Sequence, residues 1–222
     1  TSRIEEGDQG DDGRPSTQHL GFAEDQAIFQ SPTQNIRVLS EGWYHSFGYC
    51  PNCGNSKLSK LRDNNPGSDF RCDPCDEFFE LKAKKGIFGN RILDGAFASM
   101  KRLLESGSNP NLVLLNYDQT RRNVTNLTIV PKHFFVSDLL QERRPLPQTA
   151  RRAGWIGCNI LLSQVPAAGR IGIIQNSVAV PKDEVLEQWK RTLFLRSESL
   201  SARGWLLDVM RVSTGLAGQI SV

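Results

Sequence analysis

Alternating apolar and charged residues mark one segment in the first half of the chain as β-structure. Between Asp69 and Lys84, the apolar residues Phe79, Leu81 and Ala83 occupy every second position, and charged residues lie between them. Successive side chains of a strand point to opposite faces, so one face of this segment is apolar and the other is charged. The pattern predicts two strands joined through a pair of cysteines, with the apolar face directed toward the core.

Two more pairs of strands are predicted further along the chain. Residues 111–117 and 124–130 are apolar runs rich in β-branched residues, and a polar turn joins them. Residues 170–175 and 178–180 form a second pair around a two-residue polar turn. Such runs, bounded by turn residues, are typical of paired strands.

Helices are predicted in three places. Residues 35–47 are expected to form a short helix or an irregular lead-in. Residues 92–105 predict a helix that has Asp94 near its start as the N-cap and Gly107 as its stop. A third helix is predicted at 182–195. With the strands, these helices predict an α/β fold with a mixed sheet and flanking helices.

The composition is that of a soluble globular chain of one or two domains. Of the 222 residues, 38% are hydrophobic and 23% are charged, and no apolar run is long enough for a membrane span. Residues 1–20 are rich in Gly, Asp and Ser, and we expect them to form a disordered tail. This tail is acidic, so the rest of the chain is more basic than the net charge of +3 implies, which mildly favours a phosphate-bearing partner.

The clearest chemical signal is a pair of CxxC motifs. Cys50 and Cys53 form the first motif, and Cys72 and Cys75 form the second after eighteen intervening residues. This spacing is typical of a zinc ribbon, in which four thiolates close a tetrahedral site and the Zn²⁺ is structural. No secretory signal is recognisable, so metal binding in a reducing cytoplasm is favoured over disulfides. A redox dithiol is the less favoured alternative.

A carboxylate and a Glu-x-Lys triplet lie next to the second motif. Asp69 and Glu80 offer the one or two carboxylates that Mg²⁺ typically takes from a protein. Lys82 is expected to orient or deprotonate a water and to stabilise charge on a phosphate. The three residues predict a phosphodiesterase site, although a surface strand often displays alternating acids and bases without any such role.

A proline-containing segment carries two pairs of arginines and ends in a tryptophan. These residues are Arg143, Arg144, Arg151, Arg152 and Trp155. Arginine binds phosphates or contacts guanine through two hydrogen bonds, and tryptophan stacks on bases. Together with Lys84, beside the predicted phosphodiesterase site, the segment is a candidate DNA-binding surface. A solvated loop with one core tryptophan is the alternative.

Longer strings of residues resemble the DpnI-type methyl-directed restriction endonucleases. The resemblance extends from about residue 43 to residue 205, and its shared strings are far more specific than any single motif. They are residues 49–55, 72–75 with 80–82, 94–96, 149–159 (TARRAGWIGCN), 163–166, 193–196 and 201–205.

The resemblance implies a PD-(D/E)xK restriction-endonuclease-like core at 21–200, with the zinc ribbon at 50–75 embedded in it. The implied enzyme is a monomeric type II endonuclease that uses Mg²⁺ to cut double-stranded DNA at G-A-T-C sites carrying N6-methyladenine. The resemblance assigns catalysis to Asp69, Glu80 and Lys82, and it assigns Mg²⁺ binding to the two acids and the backbone carbonyl of Leu81. It also places Trp155, with the arginines before it, at the methyladenine-reading surface, where a methyl group offers apolar area to an aromatic ring.

Two departures from the family pattern bear on these expectations. Ser68 precedes Asp69 where the motif has proline, a residue that carries no chemistry. The family ends in a winged-helix domain that also reads the methylated site, but only seventeen residues follow Trp205 here. Residues 201–222 are therefore expected to be a remnant of that domain, and its loss is expected to weaken DNA affinity.

Two other functions stay open on the sequence. One is a non-enzymatic zinc-ribbon DNA-binding protein, which the retention of Asp69, Glu80 and Lys82 argues against. The other is a PD-(D/E)xK nuclease that acts on a different nucleic acid, such as a recombination junction or RNA.

Overall fold

Ten strands and four α-helices make up the regular structure of the described residues. The structure is a computed structural model that describes residues 30–62 and 67–217, so the predicted tail at 1–20 lies outside the described residues. The helices are α1 (Pro32–Phe47), α2 (Phe97–Glu105), α3 (Lys182–Lys190) and α4 (Leu200–Ala217). None of the described helices is both long enough and apolar enough to cross a membrane.

The strands form two sheets. They are β1 (Ser59–Lys60), β2 (Phe70–Cys72), β3 (Glu77–Lys85), β4 (Ile92–Ala96), β5 (Asn111–Asp118), β6 (Asn123–Val130), β7 (Leu140–Glu142), β8 (Gly157–Ile160), β9 (Ile171–Gln175) and β10 (Val178–Ala179). The main sheet has the order β1-β2-β3-β5-β6-β9-β10, and the second sheet has the order β4-β8-β7. The mixed α/β fold predicted from the sequence is confirmed.

The centre of the main sheet is its parallel pair, β3 and β5. The chain crosses from one to the other through β4 and α2, whereas the other pairs in this sheet are antiparallel. Strand β5 is buried on both faces, since Val113 and Leu115 pack in one apolar cluster and Leu112 and Leu114 in another. A strand covered on both sides is the usual result of such a crossover.

The two apolar clusters define what covers each face of the main sheet. On one face lie α1 and α3, which contribute Tyr44 and Trp189. On the other face lie α2 and the second sheet, which contribute Leu104 and Ile160, and α4 adds Leu207. The segment around residue 200 therefore packs against the second cluster, and the prediction that residues 201–222 are a domain remnant stays a prediction.

Most predicted elements are present, with one error that matters for the site. The hairpin from Asp69, both later strand pairs and the first helix are confirmed. The helix predicted at 92–105 is wrong over its first five residues, because Ile92–Ala96 is strand β4 and pairs with β8. Asp94 is consequently a strand residue and not an N-cap.

The last predicted helix is shorter than expected. Helix α3 ends at Lys190, and a 3₁₀-helix follows at Leu193–Ser197. Between them, the Thr192 hydroxyl donates to the carbonyl of Trp189 and contacts the ring of His133 at 2.8 Å. The side chain of Thr192 thus ties the end of α3 to the segment that follows β6.

Candidate active site and metal centre

The four cysteines of the two CxxC motifs lie together. The Sγ atoms of Cys50 and Cys75 are 3.5 Å apart, as are those of Cys53 and Cys72, and all four lie within 4.8 Å of one another. Thiolates at the corners of a zinc tetrahedron, with bonds of about 2.3 Å, lie about 3.8 Å apart. The cluster therefore has the donor set and the size that a Zn²⁺ ion requires.

Both CxxC motifs close with the same turn. The N–H of Gly54 donates to the carbonyl of Cys50, and the N–H of Asp76 donates to the carbonyl of Cys72, both at 2.8 Å. Gly54 and Asp76 have positive φ angles of 76° and 56°. A left-handed conformation is easy for glycine and costs a residue such as Asp about 1 kcal/mol, so the second turn carries a local strain that the fold has to hold.

The turns also hold the ribbon to the rest of the domain. The indole N–H of Trp189 donates to Asn52 Oδ1 at 3.0 Å, which fixes the first CxxC motif on α3. The ammonium of Lys182 lies 5.2 Å from the centre of the Tyr49 ring. Helix α3 and the ribbon are thus one packed unit.

The second CxxC motif is the link between β2 and β3, and this link brings Asp69 beside Glu80. Phe70 pairs with Phe79, and the Asp69 N–H donates to the carbonyl of Phe79 at 2.8 Å. The N–H of Leu81 donates to Asp69 Oδ2 at 2.8 Å. The first predicted carboxylate is therefore held in place by the backbone of the strand that carries the second.

Lys82 lies between two carboxylates. Its Nζ is 2.6 Å from Glu80 Oε1 and 2.8 Å from Asp94 Oδ1. Burial acts to lower the pKa of Lys82, but the charges of Glu80 and Asp94 outweigh burial and raise the pKa. The lysine is accordingly a fixed positive charge at this point of the cleft.

The two acids of the predicted Mg²⁺ site are short of positive charge. Burial raises the pKa of Glu80 to about 7, against the opposing effect of Lys82 and with the help of Asp94 and Asp69. Burial also raises the pKa of Asp69, whereas the N–H of Leu81 acts to lower it. Buried carboxylate oxygens whose charge is only partly compensated are suitable ligands for a hard cation, so these residues fit Mg²⁺.

Asp69, Glu80, Leu81 and Lys82 line one cleft of about 1050 Å³. Asp69 and Glu80 line it together with Leu81, whose N–H donates to Asp69 Oδ2. The basic residues that line it are Arg37, Lys82, Lys84, Lys85 and Arg91. A cleft that is lined by both acids and cations suits a phosphodiester, because the cations attract the DNA backbone and the acids are suitable ligands for a metal ion.

The arginine segment is an extension of the hairpin formed by β7 and β8. The N–H of Leu146 donates to the carbonyl of Trp155 at 2.9 Å, and the N–H of Gly154 donates back to Leu146 at 3.0 Å. The guanidinium of Arg152 lies 4.5 Å from the centre of the half-buried Trp155 ring. Of the other three arginines in the segment, Arg144 and Arg151 are exposed and Arg143 is half-buried.

Three functional candidates were missed in the sequence. Asp94 was assigned to a helix cap, and nothing singled out Glu41 or Arg37, which come from α1. Arg37 lies 3.7 Å from Asp69 and 2.6 Å from the buried Glu41, which Lys60 also contacts at 2.9 Å. The spacing of Arg37 and Glu41, four positions apart in a helix, was the signal in the sequence that could have identified them, but such pairs are common on helix surfaces.

One comparison with known proteins bears on this site. The family model described as DpnI, the Dam-replacing family, matches residues 21–198. The matched range contains the cysteine cluster, the acidic cleft and the arginine segment.

Proposed function

The chain belongs to the DpnI (Dam-replacing) family and is thus a restriction endonuclease that acts on DNA; from this premise we propose a finer activity. We propose that it uses Mg²⁺ to cut double-stranded DNA at G-A-T-C sites that carry N6-methyladenine. The single observation that carries the proposal is the convergence of Asp69, Glu80 and Lys82 in one basic cleft. Family membership accounts only for restriction activity in general, whereas this cleft supports Mg²⁺-dependent cleavage of a phosphodiester.

The order of elements supports a PD-(D/E)xK core. Helix α1 is followed by the antiparallel hairpin of β2 and β3, then by a crossover through α2 to β5, which is parallel to β3. Asp69 immediately precedes the first hairpin strand, and Glu80 and Lys82 lie within the second. This is where the acids and the lysine of such a motif are expected.

In the proposed reaction, Asp69, Glu80 and the backbone carbonyl of Leu81 would hold the Mg²⁺. When bound, this ion supplies positive charge that polarises the phosphate and lowers the pKa of water. Asp69 is oriented by the Leu81 N–H, so its geometry is set before DNA arrives. Burial raises the pKa of Glu80 to about 7, and a bound cation would favour its charged form.

Lys82 acts as the cationic member of the centre. Its ammonium is oriented between two carboxylates, from where it stabilises negative charge that develops on the phosphate and orients the attacking water. We assign the Zn²⁺ of the ribbon, held by Cys50, Cys53, Cys72 and Cys75, a structural role. It fixes the link between the strand after Asp69 and the strand of Glu80.

We assign DNA recognition to the arginine segment and to Lys84 in the cleft. Arg144, Arg151 and Lys84 are exposed, as phosphate contacts must be. Trp155 offers an aromatic ring to the adenine methyl group, and Arg152, which lies over that ring, has to share or leave its position when a base approaches. Recognition by a monomer in the cytoplasm is part of the same proposal.

The test is a digest of one plasmid in two states. Plasmid with adenine-methylated G-A-T-C sites, and the same plasmid without methylation, are incubated with the chain in the presence and absence of Mg²⁺. Cleavage of the methylated plasmid with Mg²⁺ is expected, and intact DNA under those conditions overturns the proposal. Equal cleavage of both plasmids retains a nuclease but removes the methyl specificity, and binding without cleavage indicates a non-enzymatic DNA-binding protein.

The catalytic assignment is tested by Lys82→Ala. The cleavage rate is expected to fall by about 10³-fold or more, because the positive charge at the phosphate is lost, while DNA affinity changes by less than about threefold. Lys101→Ala is the matched control, because Lys101 is an exposed lysine of α2 whose partner is Glu105. A Lys82→Ala protein that cuts at the rate of the control contradicts the assignment.

A further inference from the structure

Asp94 is a buried acid in the cleft region whose bonds are all on one oxygen. Its side chain is 4% exposed, and Oδ1 accepts from Lys82 Nζ and from the N–H of Gly95, both at 2.8 Å. Among the residues that the structure describes, the buried Oδ2 has no hydrogen-bond partner. Buried polar atoms are nearly always paired, so within the described part of the chain Asp94 is held in this place by the contacts of Oδ1 with Lys82 and Gly95 alone.

The backbone that carries Asp94 is irregular at this position. Strand β4 pairs with β8, with Asp94 opposite Cys158 and Ala96 opposite Gly157, so the register shifts between Asp94 and Ala96. Such a β-bulge changes the direction of a side chain relative to a regular strand. The second sheet thereby delivers one carboxylate to the lysine of β3, which belongs to the main sheet.

Lys82 needs this second partner once the cleft is loaded. Glu80, its other partner, is also the acid to which we assign the cation, and the positive cation competes with the ammonium for that carboxylate. A lysine has a flexible four-carbon stem, so without another partner its ammonium is free to move away from the reacting phosphate. Asp94 contacts Lys82 from a different strand and is not among the groups to which we assign the cation.

We propose that Asp94 is a positioning residue of the nuclease centre, which holds the Lys82 ammonium at the phosphate when Glu80 engages the cation. The role of Asp94 in catalysis rests on the proposed function. The contact itself does not depend on that function. Displacement of a reacting group by about 1 Å costs about 10²-fold in rate, so the loss of Asp94 has a measurable effect.

The experiment compares Asp94→Asn with the wild type in the full chain. Asparagine has nearly the same shape and can still accept from the Gly95 N–H, but it lacks the negative charge that holds Lys82. In excess Mg²⁺, which is proposed to engage Glu80, Lys82 acylation by a limiting amine-reactive reagent is measured by mass spectrometry. It is expected to rise by about threefold or more as the lysine loses its remaining partner, with Lys101 unchanged. The single-turnover cleavage rate on methylated duplex is expected to fall by about 10²-fold with affinity within about threefold of wild type.

Two further variants separate positioning from a general structural effect. Gln141→Ala removes a hydrogen bond to Asn159 in the same sheet without contact to Lys82, and it is expected to leave both readouts unchanged. Asp94→Glu keeps a carboxylate and is expected to restore Lys82 protection and part of the rate. If thermal unfolding shows that Asp94→Asn does not fold, Asp94→Glu replaces it as the test variant.

Each outcome decides the inference. Unchanged Lys82 acylation in Asp94→Asn overturns it, whether or not the chain cuts DNA. Raised acylation with an unchanged cleavage rate overturns the positioning role. If the wild type does not cut methylated DNA, the proposed function fails, and the acylation result still decides whether Asp94 holds the lysine.

Discussion

Glu77 and Glu80 are three residues apart on strand β3, and both are largely buried, with side chains 3% and 14% exposed. Their surroundings differ sharply. Glu77 is within 2.6 Å of Arg196 and 3.4 Å of Lys132, and it accepts from Asn111 at 2.8 Å. Glu80 has Lys82 as its cation, and Asp94 shares that cation.

The difference distinguishes an acid that stabilises the fold from an acid that is ready for a ligand. Two cations compensate Glu77, so its burial is electrostatically satisfied. Two acids compete for one cation near Glu80, and its pKa is raised to about 7 as a result of burial that nothing fully offsets. Burial alone therefore does not identify a functional acid, whereas a local deficit of positive charge does.

Zinc removal is expected to have the largest effect on activity and stability. Both Glu77 and Glu80 lie on β3, the strand that directly follows the second CxxC motif. Structural zinc sites of this type contribute roughly 10–16 kcal/mol to local folding. A zinc-selective chelator, with Mg²⁺ in excess, is expected to abolish cleavage and to raise amide hydrogen exchange throughout β2 and β3. Restored activity on readdition of Zn²⁺ is the control, and full activity of zinc-free protein contradicts the structural role.

Glu77→Gln is expected to lower the free energy of unfolding by about 3–5 kcal/mol, because Arg196 and Lys132 lose the charge that compensates them. Chemical denaturation measures the change. Glu80→Gln is the matched variant on the same strand, and its stability is expected to equal or exceed that of the wild type at neutral pH. A larger loss in Glu80→Gln than in Glu77→Gln would reverse the comparison.

The smallest expected effect is a pH-dependent difference between the wild type and Glu80→Gln. Because the folded pKa of Glu80 is about 7 and its ordinary value is 4.5, its contribution to stability is fully present below pH 4.5 and is lost as the pH rises through 7. In buffer without Mg²⁺, the free energy of unfolding of the wild type is expected to fall by on the order of 3 kcal/mol relative to that of Glu80→Gln as the pH rises across this range. Urea denaturation at several pH values measures it.

The buried His133 changes stability with pH in the opposite direction to Glu80. Its effect is the same in the wild type and in Glu80→Gln, so it cancels when one is subtracted from the other. Burial lowers the pKa of His133 to about 3 from 6.5, so both proteins lose stability as the pH falls through this range. Mg²⁺ is expected to reduce the difference that Glu80 causes, since a cation compensates the carboxylate. A difference that does not vary with pH contradicts the assigned environment of Glu80.

The sequence was sufficient wherever the determining pattern is local. The alternation around Glu80, the two-residue spacing inside each CxxC motif and the paired apolar runs are properties of neighbouring residues, and the corresponding hairpins are present. The cysteine cluster was predictable because its four ligands lie within 26 residues of one another. The roles of Asp69, Glu80 and Lys82 in catalysis stay predictions.

The missed features depend on residues distant in sequence. Strand β4 exists because β8, more than sixty residues later, pairs with it, whereas the local sequence continues smoothly into α2. Glu77 was not singled out, because its partners Asn111, Lys132 and Arg196 are at least 34 positions away. A local reading cannot weigh contacts that only the folded chain creates.

The hairpin that carries the arginine segment has a consequence for how specificity changes during evolution. Its ends are fixed as neighbours, since Glu142 pairs with Cys158 and the Arg143 N–H donates to the Gly157 carbonyl at 3.0 Å. Lengthening such a loop costs only about 0.6 kcal/mol for each doubling of its length. Insertions and exchanges between these two anchor points are thus cheap, and on the recognition role that we propose for this segment, new target sequences can be acquired there without a change in the cleft.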